Sequence, residues 1–523
     1  DLLKMPAVRP FLISASGLSD KSLNYLNEDD RTEAIKELID IMRKSMKEKK
    51  ENHEQIGFVD GANDEKTEYL VTNFSADGFC ETKERRWLER HFAGLLEVTD
   101  KFNRQSVSYQ LSKKDILHSW LKYKEGFSAD LVNTLLDEMN VPKNGTILDP
   151  FWGSGTTGLV CQMRGLNSIG FDIMPISSVS IKAKAAVMEY NVVELEKLLG
   201  EVRNLTVPND YRKKADYIKI TEDAYPSENE VFIKYISEWS DESKYSEQAK
   251  NLLSLCVLNS LERCSYTIKS GQYLGWDYRS PKVKKANKDR VSKGKKPLPK
   301  KVVRAVISDA HELIVEELER VIEEIKEIQK ANSEDSSSHI KFVQNTVLEE
   351  LPLLDDNSIN GVITSPPYCN RYDYTRTYAL ELVYLGLGEQ DIKNMRQALL
   401  SCTVESRSKV EQLEAYYKSI KKEERFKYIK SIIEDNAVLN EVTNALKQRE
   451  EHGDLNNDGI IRMVQGYFTE LAFVYAEIYR VCAPGATIAF VNDNVRYGGE
   501  VIPVDFLSSL LAEQFGFIVE KIY

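Results

Sequence analysis

The 523-residue chain has no apolar run approaching the roughly 18 residues of a membrane helix, so no membrane partner is expected. Its seven cysteines (Cys80, Cys161, Cys256, Cys264, Cys369, Cys402 and Cys482) are scattered, with no CxxC pair and no Cys/His ligand spacing. That distribution excludes a zinc cluster and a disulfide scaffold, leaves no metal to be expected, and fits a reducing cytoplasm. A phosphate loop of the form GxxxxGK[ST] is missing, and so is a net positive charge: 70 basic residues face 82 acidic ones, a formal balance of −12. Taken as an average, that balance argues against nucleic acid, because phosphate recognition needs clustered Lys and Arg. The first residues show no basic and apolar segment of a signal peptide. The chain begins at Asp1 rather than Met and ends within a strand-like run, which reads as a piece of a longer protein.

With 42% hydrophobic and 29% charged residues, the composition supports more than one buried core. The first 110 residues are polar, with one helical pattern near Glu33–Lys50 and no assignable motif. From about Asp115 a parallel-sheet rhythm begins: a helix over Ser128–Met139, a strand at Thr146–Leu148, a glycine-rich turn, a helix over Thr156–Arg164 and a strand at Ser168–Phe171. The rhythm breaks into helical patterns and a Lys-rich loop, then a long amphipathic helix (about Val302–Ala331) and a linker, Asn332–Ser338. Strands resume at Ile340–Val343, Gly361–Thr364, Thr487–Val491 and Phe517–Ile522, and the stretch 388–460 between them is charged and helical.

Three strand ends carry chemistry. Asp149-Pro150-Phe151-Trp152-Gly153-Ser154-Gly155-Thr156-Thr157 joins a strand to a helix; its glycines permit a tight turn, and the helix start offers unpaired N–H groups to an anion. Asp172 ends the next strand, where a carboxylate can accept from two ribose hydroxyls. Ser365-Pro366-Pro367-Tyr368 follows a third strand; its prolines remove donors and fix φ, leaving carbonyls free to accept. Each has a plainer reading: a strand-to-helix turn, a helix N-cap before Met174-Pro175, and a rigid turn.

Together, the Asp149–Thr157 and Ser365–Tyr368 motifs closely resemble those of the DNA amino-methyltransferases, the S-adenosylmethionine-dependent enzymes that methylate cytosine N4 or adenine N6. Lys122–Val132 is similar to the family's cofactor-contacting segment, which includes Phe127, and Gln344-Asn345-Thr346 is similar to its adenine-side motif, where Asp is commoner than Asn345. Val491–Asn494 looks like a later strand of the same sheet. The resemblance implies an α/β fold, a Rossmann-like class I methyltransferase sheet with helical insertions and a separate N-terminal region. It divides the chain into 1–114, of unread role; 115–190, the cofactor-binding half of the core; 191–337, a basic helical insertion; 338–387, the catalytic half; 388–460, a charged helical insertion; and 461–523, the C-terminal strands.

The implied cofactor-binding residues are Phe127, Asp149, Pro150, Phe151, Gly153, Gly155, Thr156, Thr157, Asp172 and Asn345. The implied catalytic group is Ser365, Pro366, Pro367 and Tyr368. In the family the first side chain and the first proline carbonyl accept the two amine hydrogens, and the tyrosine stacks on a base flipped out of the duplex. None of the cysteines follows a proline, which sets aside the Pro-Cys thiolate of carbon-5 cytosine methylation and leaves Cys369 structural. Ser365 leans toward cytosine N4, because adenine enzymes usually carry Asp or Asn there.

Arg279–Arg304 holds twelve Lys or Arg against Asp289 alone, a local charge of +11. With Tyr273, Trp276 and Tyr278 just before it, this run reads as a flexible arm that engages DNA, chiefly through Lys284, Lys285, Lys288, Arg290, Lys293, Lys295 and Lys296. A solvated loop is the plainer reading. The expectation is a prokaryotic, cytoplasmic DNA methyltransferase of a restriction-modification or phage-defence system, with a cognate endonuclease or other defence subunits as further partners. Adenine N6, an RNA base and a non-catalytic recognition subunit are the alternatives.

Overall fold

Nine strands are present among the described residues: β1 (Thr146–Asp149), β2 (Asn167–Phe171), β3 (Thr267–Ser270), β4 (Tyr273–Trp276), β5 (Ile340–Val343), β6 (Ile359–Thr364), β7 (Cys482–Phe490), β8 (Val495–Tyr497) and β9 (Glu500–Ile502). The structure is a computed structural model that describes residues 73–270, 273–331 and 338–523, all within the unit Tyr69–Tyr523. The helical pattern expected near Glu33–Lys50 and most of the 332–338 linker lie outside these residues.

Five strands form one parallel sheet in the order β5-β2-β1-β6-β7. The chain winds from β1 outward through β2 to β5, then returns to the other side of β1 for β6 and β7. This is the Rossmann-like half-sheet order, and its switch point falls between β1 and β6, where the carboxyl ends of adjacent strands diverge and a ligand cleft opens. Both central strands are apolar on both faces; Ile147, Leu148, Val362 and Ile363 are fully buried, as covered parallel strands require.

One face packs Trp152, Leu159 and Ile181 against the helices Glu247–Ser260 and Ala310–Ala331 of the first insertion. The other packs Leu148, Phe171 and Val362 against Ile460–Val481 and the helices between 410 and 452.

Four sequence expectations change. The long helix starts at Ala310, not near Val302, because the preceding segment is drawn along the β3–β4 hairpin. Arg304 donates to the Ser265 and Thr267 carbonyls at 3.0 and 2.9 Å, the Val303 amide donates to Asp277, and the Asp309 carboxylate then takes the Glu312 amide at 3.0 Å as the helix opens. The basic run is not a loose arm throughout: Pro281–Ser292 is a helix capped by the Ser280 hydroxyl. The strand expected at Thr487–Val491 spans Cys482–Phe490. Phe517–Ile522 is no strand; Ile522 makes a single bridge to Leu96, in a segment with no sheet edge to extend.

Candidate active site

A cleft of about 760 Å³, measured to its open mouth, lies at the carboxyl ends of β1, β2, β5 and β6. Its glycine-loop wall comes from Pro150, Phe151, Trp152, Gly153, Ser154 and Thr156. Gly153 and Gly155 have φ of 54° and 88°, conformations glycine adopts without strain. They also give up space: a Cβ on Gly153 would stand 3.1 Å from Tyr123 Cε1, and one on Gly155 2.9 Å from Ile181 Cδ1. The helix Thr156–Met163 begins with Gly155, which has no side chain to cap it, so its first amides are left for a ligand at the cleft. Below the loop, the Ser154 carbonyl accepts from Ser180 Oγ at 3.0 Å and lies 3.4 Å from Lys184 Nζ. Burial lowers that lysine to about 7.

Trp152 packs beneath this wall against bare backbone. A Cβ on Gly170 would fall 1.5 Å from Trp152 Cε3, and one on Gly158 2.2 Å from its Cη2. No sequence signal marked Trp152 beyond its place in the motif, because the two glycines that accept its ring lie on a different strand and helix.

At the end of β2, the Asp172 carboxylate lines the cleft and accepts from the amides of Gly153 and Met174, both at 2.8 Å. The cap-like reading and the ligand-facing position therefore coexist in one side chain. Burial raises its pKa to about 6, against hydrogen bonds that lower it, so it is ionised at neutral pH. Asn345 also lines the cleft, with its amide donating to Glu350 at 2.7 Å and its carbonyl taking the Thr346 amide. Phe127 completes the same wall.

Asp149 sits beneath the cleft rather than in its wall, and its carboxylate joins two loops. Oδ2 accepts from Thr157 Oγ1 at 2.7 Å, and Oδ1 accepts from Thr364 Oγ1 at 2.6 Å and from the Phe151 amide at 3.2 Å. Burial raises its pKa to about 6. Gly155 and Thr157 likewise shape the floor without lining it.

Ser365 and Pro367 line the cleft from the β6 side. Ser365 Oγ lies 3.2 Å from the Val491 carbonyl and 3.3 Å from the Tyr368 phenol oxygen. The hydroxyl can give its single proton to either oxygen, and in both cases its own oxygen has lone pairs with which to accept. Among the described residues no donor bonds the Pro366 carbonyl. Tyr368 is half-buried behind Ser365, and burial raises its phenol pKa.

Several lining residues were not singled out from the sequence. Tyr374 follows the Pro-Pro loop, and Ala398, Leu399 and Leu400 come from the 388–460 insertion, which bears no motif. Glu125 lay inside the Lys122–Val132 segment; its carboxylate accepts from the phenols of Tyr372 and Tyr378. Tyr378 in turn stacks on Tyr123 with centroids 5.1 Å apart.

The N6/N4 DNA methylase family model matches residues 18–178. The Type II methyltransferase M.BsoBI of Geobacillus stearothermophilus is 47% identical over 456 residues, covering 87% of this chain and 89% of the relative. The Type II methyltransferase M.AvaI of Anabaena variabilis is 34% identical over 465 residues, covering 87% and 91%. The chain belongs to the N6/N4 family of Type II DNA methyltransferases. A further Type II methyltransferase, M.MjaII of Methanocaldococcus jannaschii, is 26% identical over 338 residues, about half of this chain. No solved structure matches the chain significantly.

As a member of this family, the protein uses S-adenosylmethionine as methyl donor and DNA as substrate. The cleft fits such a cofactor: a carboxylate at the β2 end suits ribose hydroxyls, the glycine loop keeps a surface that a Cβ would fill, and Phe127 and Phe151 offer apolar area. No helix among the described residues is long and apolar enough to cross a membrane, and they contain no group of His, Cys, Asp and Glu that could hold a metal.

Proposed function

We propose that this chain methylates the exocyclic N4 of cytosine in DNA, using Ser365-Pro366-Pro367-Tyr368 as the acceptor site. The observation that carries the reading is that Ser365 lines the same cleft as Gly153 and Asp172, with its hydroxyl within hydrogen-bond reach of the Val491 carbonyl. An exocyclic amine is a weak nucleophile because its lone pair is delocalised into the ring. Two acceptors, the Ser365 hydroxyl and the Pro366 carbonyl, would take its two hydrogens and hold the lone pair on nitrogen. Tyr368 positions Ser365 through its phenol and offers its half-buried ring to the extruded base. Bound S-adenosylmethionine supplies an electrophilic sulfonium methyl. Phe127, Pro150, Phe151, Gly153, Thr156, Asp172 and Asn345 form its walls, while Asp149, Gly155 and Thr157 hold those walls in place. Alignment of two bound reactants then accounts for much of the acceleration, and no covalent nucleophile is needed.

The basic segment is the proposed DNA grip. Lys284, Lys285, Lys288, Lys293, Lys295 and Lys296 are exposed, with Arg290 half-buried beside them. The helix that carries most of them is tied down at its start: Arg279 pairs with Asp277 at 2.8 Å, and Lys282 Nζ lies 4.5 Å from the Trp276 ring centroid. The preceding β4 strand packs against Tyr374–Thr377, next to the acceptor loop, which supports reading this helix as part of the DNA-binding side.

Methyl transfer to duplex DNA followed by nucleoside analysis tests the target: N4-methylcytosine is expected, and N6-methyladenine would overturn the choice. Ser365→Ala should lower kcat by about 10²–10³-fold, the loss of one transition-state hydrogen bond, with cofactor affinity kept. Full activity in that variant would refute the acceptor site. Reversing Lys284, Lys285, Lys288 and Lys293 to Glu should abolish DNA binding and leave cofactor binding intact; unchanged DNA affinity would remove the basic helix from the interface. We further place the protein in the cytoplasm as the modification arm of a restriction-modification system, so DNA it has methylated should resist a cognate endonuclease. Cleavage of fully methylated DNA would contradict that placement.

A further inference from the structure

Three residues beyond Tyr368 the chain turns at Arg371 with φ of 67°, a left-handed conformation that a long side chain rarely adopts. The turn is held from both sides: the Asn370 amide donates to the Tyr368 carbonyl at 2.8 Å, and the Tyr497 phenol donates to the Cys369 carbonyl at 2.6 Å. Several half-buried arginines around the acceptor loop and the second insertion are paired with carboxylates. Arg396 pairs with Asp373 at 3.0 Å, Arg376 with Glu405 at 2.7 Å, and Arg480 with Glu477 at 2.6 Å. Arg371 is used differently. Its Nη1 donates to the neutral Asn456 Oδ1 at 2.8 Å, and its Nε is shut away from solvent with no hydrogen-bond partner among the described residues.

A guanidinium has five donors in a planar fork and stays charged. Half-exposed and bonded to one neutral partner, Arg371 has further donors to offer an anion. Arg371 does not line the cofactor cleft; Asn456, its partner, stands at the end of the second insertion, and Tyr497, which holds the turn, lies beyond it. In the helix that follows Asn456, the exposed Arg462 pairs with no carboxylate among the described residues and donates to the carbonyls of Ser406 and Val404 at 2.9 and 3.0 Å. Such an arrangement suits a phosphodiester, a singly charged tetrahedral group whose two non-bridging oxygens a planar guanidinium can bind through two parallel hydrogen bonds.

We propose that Arg371 is a positioning residue that binds a DNA phosphate flanking the extruded target nucleotide. By doing so it fixes the backbone on either side of the base that Ser365 receives. The inference rests on the acceptor-site reading of Ser365–Tyr368. It concerns the DNA backbone and carries no sequence information of its own.

The experiment measures binding of the full chain to target duplex across a range of salt. Arg371→Gln should weaken binding similarly on target and single-mismatch duplexes, and should reduce the slope of log K against log salt by about 0.9, one phosphate contact. Replacing the flanking phosphates one at a time with neutral methylphosphonates should weaken wild-type binding at one position and leave Arg371→Gln indifferent there. Arg371→Lys should keep the slope and recover only part of the affinity, and it serves as the test if the Gln variant does not fold. An unchanged slope and an undiminished methylphosphonate effect in Arg371→Gln would overturn the proposal. So would wild-type affinity in Arg371→Lys, or a loss of discrimination at one base pair, which would make Arg371 a base reader. A fully active Ser365→Ala would remove the acceptor-site reading itself, whereas an inactive Ser365→Ala beside an unchanged Arg371→Gln slope would remove only the role of Arg371.

Discussion

The loop after β1 turns on glycines at 153 and 155, whereas the loop after β6 turns on prolines at 366 and 367. The glycine loop can adopt left-handed φ values and bring backbone close to a ligand, and it leads into an uncapped helix start rich in donors. The proline loop has two N–H groups removed and φ fixed, and it presents a hydroxyl and a carbonyl as acceptors. On the proposed reading, one end of the cleft donates to an anionic group and the other accepts from an amine. The two are joined by a single side chain, Asp149, which takes Thr157 from the first side and Thr364 from the second. The difference between the loops is chemical, and a buried carboxylate outside the cleft lining ties them together.

The strongest way to break this comparison is to attack the packing under the glycine side. Gly170→Ala would put a methyl 1.5 Å from the fully buried Trp152 ring, with backbone on β2 and the glycine loop on either side of the ring. Overpacking of this kind costs about 3 kcal/mol. Denaturant unfolding should show that loss, together with weakened cofactor binding. A variant as stable as the parent would mean that Trp152 has room to move and that the loop's shape comes from Gly153 and Gly155 alone.

The sheet core and its cleft were legible because parallel strands are short apolar runs that end at punctuation: Asp149-Pro150 after Thr146–Leu148, Asp172 after Ile169–Phe171, Ser365-Pro366 after Val362–Thr364. Local chemistry of that kind survives in a one-dimensional reading. What did not survive was long-range. The Arg304 guanidinium, by bonding carbonyls some 40 residues earlier, removes eight residues from a helix that periodicity alone would extend. Likewise, Leu399 and Leu400 enter the cleft because Ser401 is held by Glu470, whose carboxylate takes the Ser401 amide at 2.8 Å and Lys409 Nζ at 2.7 Å. Neither partner has a signature in sequence. Asp149 was legible as part of a motif, but its service as a link between loops required knowing that Thr364 stands beside it.

The link itself can be sharpened by titration. Burial places Asp149 and Asp172 each near 6, well above the ordinary 3.8. Between about pH 4 and pH 6 these two carboxyls hold protons in the folded protein that the unfolded chain has released, so their contribution to stability falls as pH rises through that window, then levels off above it. One such group contributes on the order of 2–3 kcal/mol across the window. Asp149→Asn should remove its share of the slope at modest cost, because two of its three donors are threonine hydroxyls, which can rotate to accept from the new amide. Asp172→Asn should remove a similar share yet cost more at every pH. Its donors include the backbone amides of Gly153 and Met174, which cannot rotate, so an amide nitrogen placed against either leaves two donors facing each other. Unfolding free energies at pH 4.5, 5.5 and 6.5 distinguish the outcomes. Equal costs for the two substitutions would show that the hydroxyl link does not adapt, and a slope unchanged in Asp149→Asn would place the titration elsewhere.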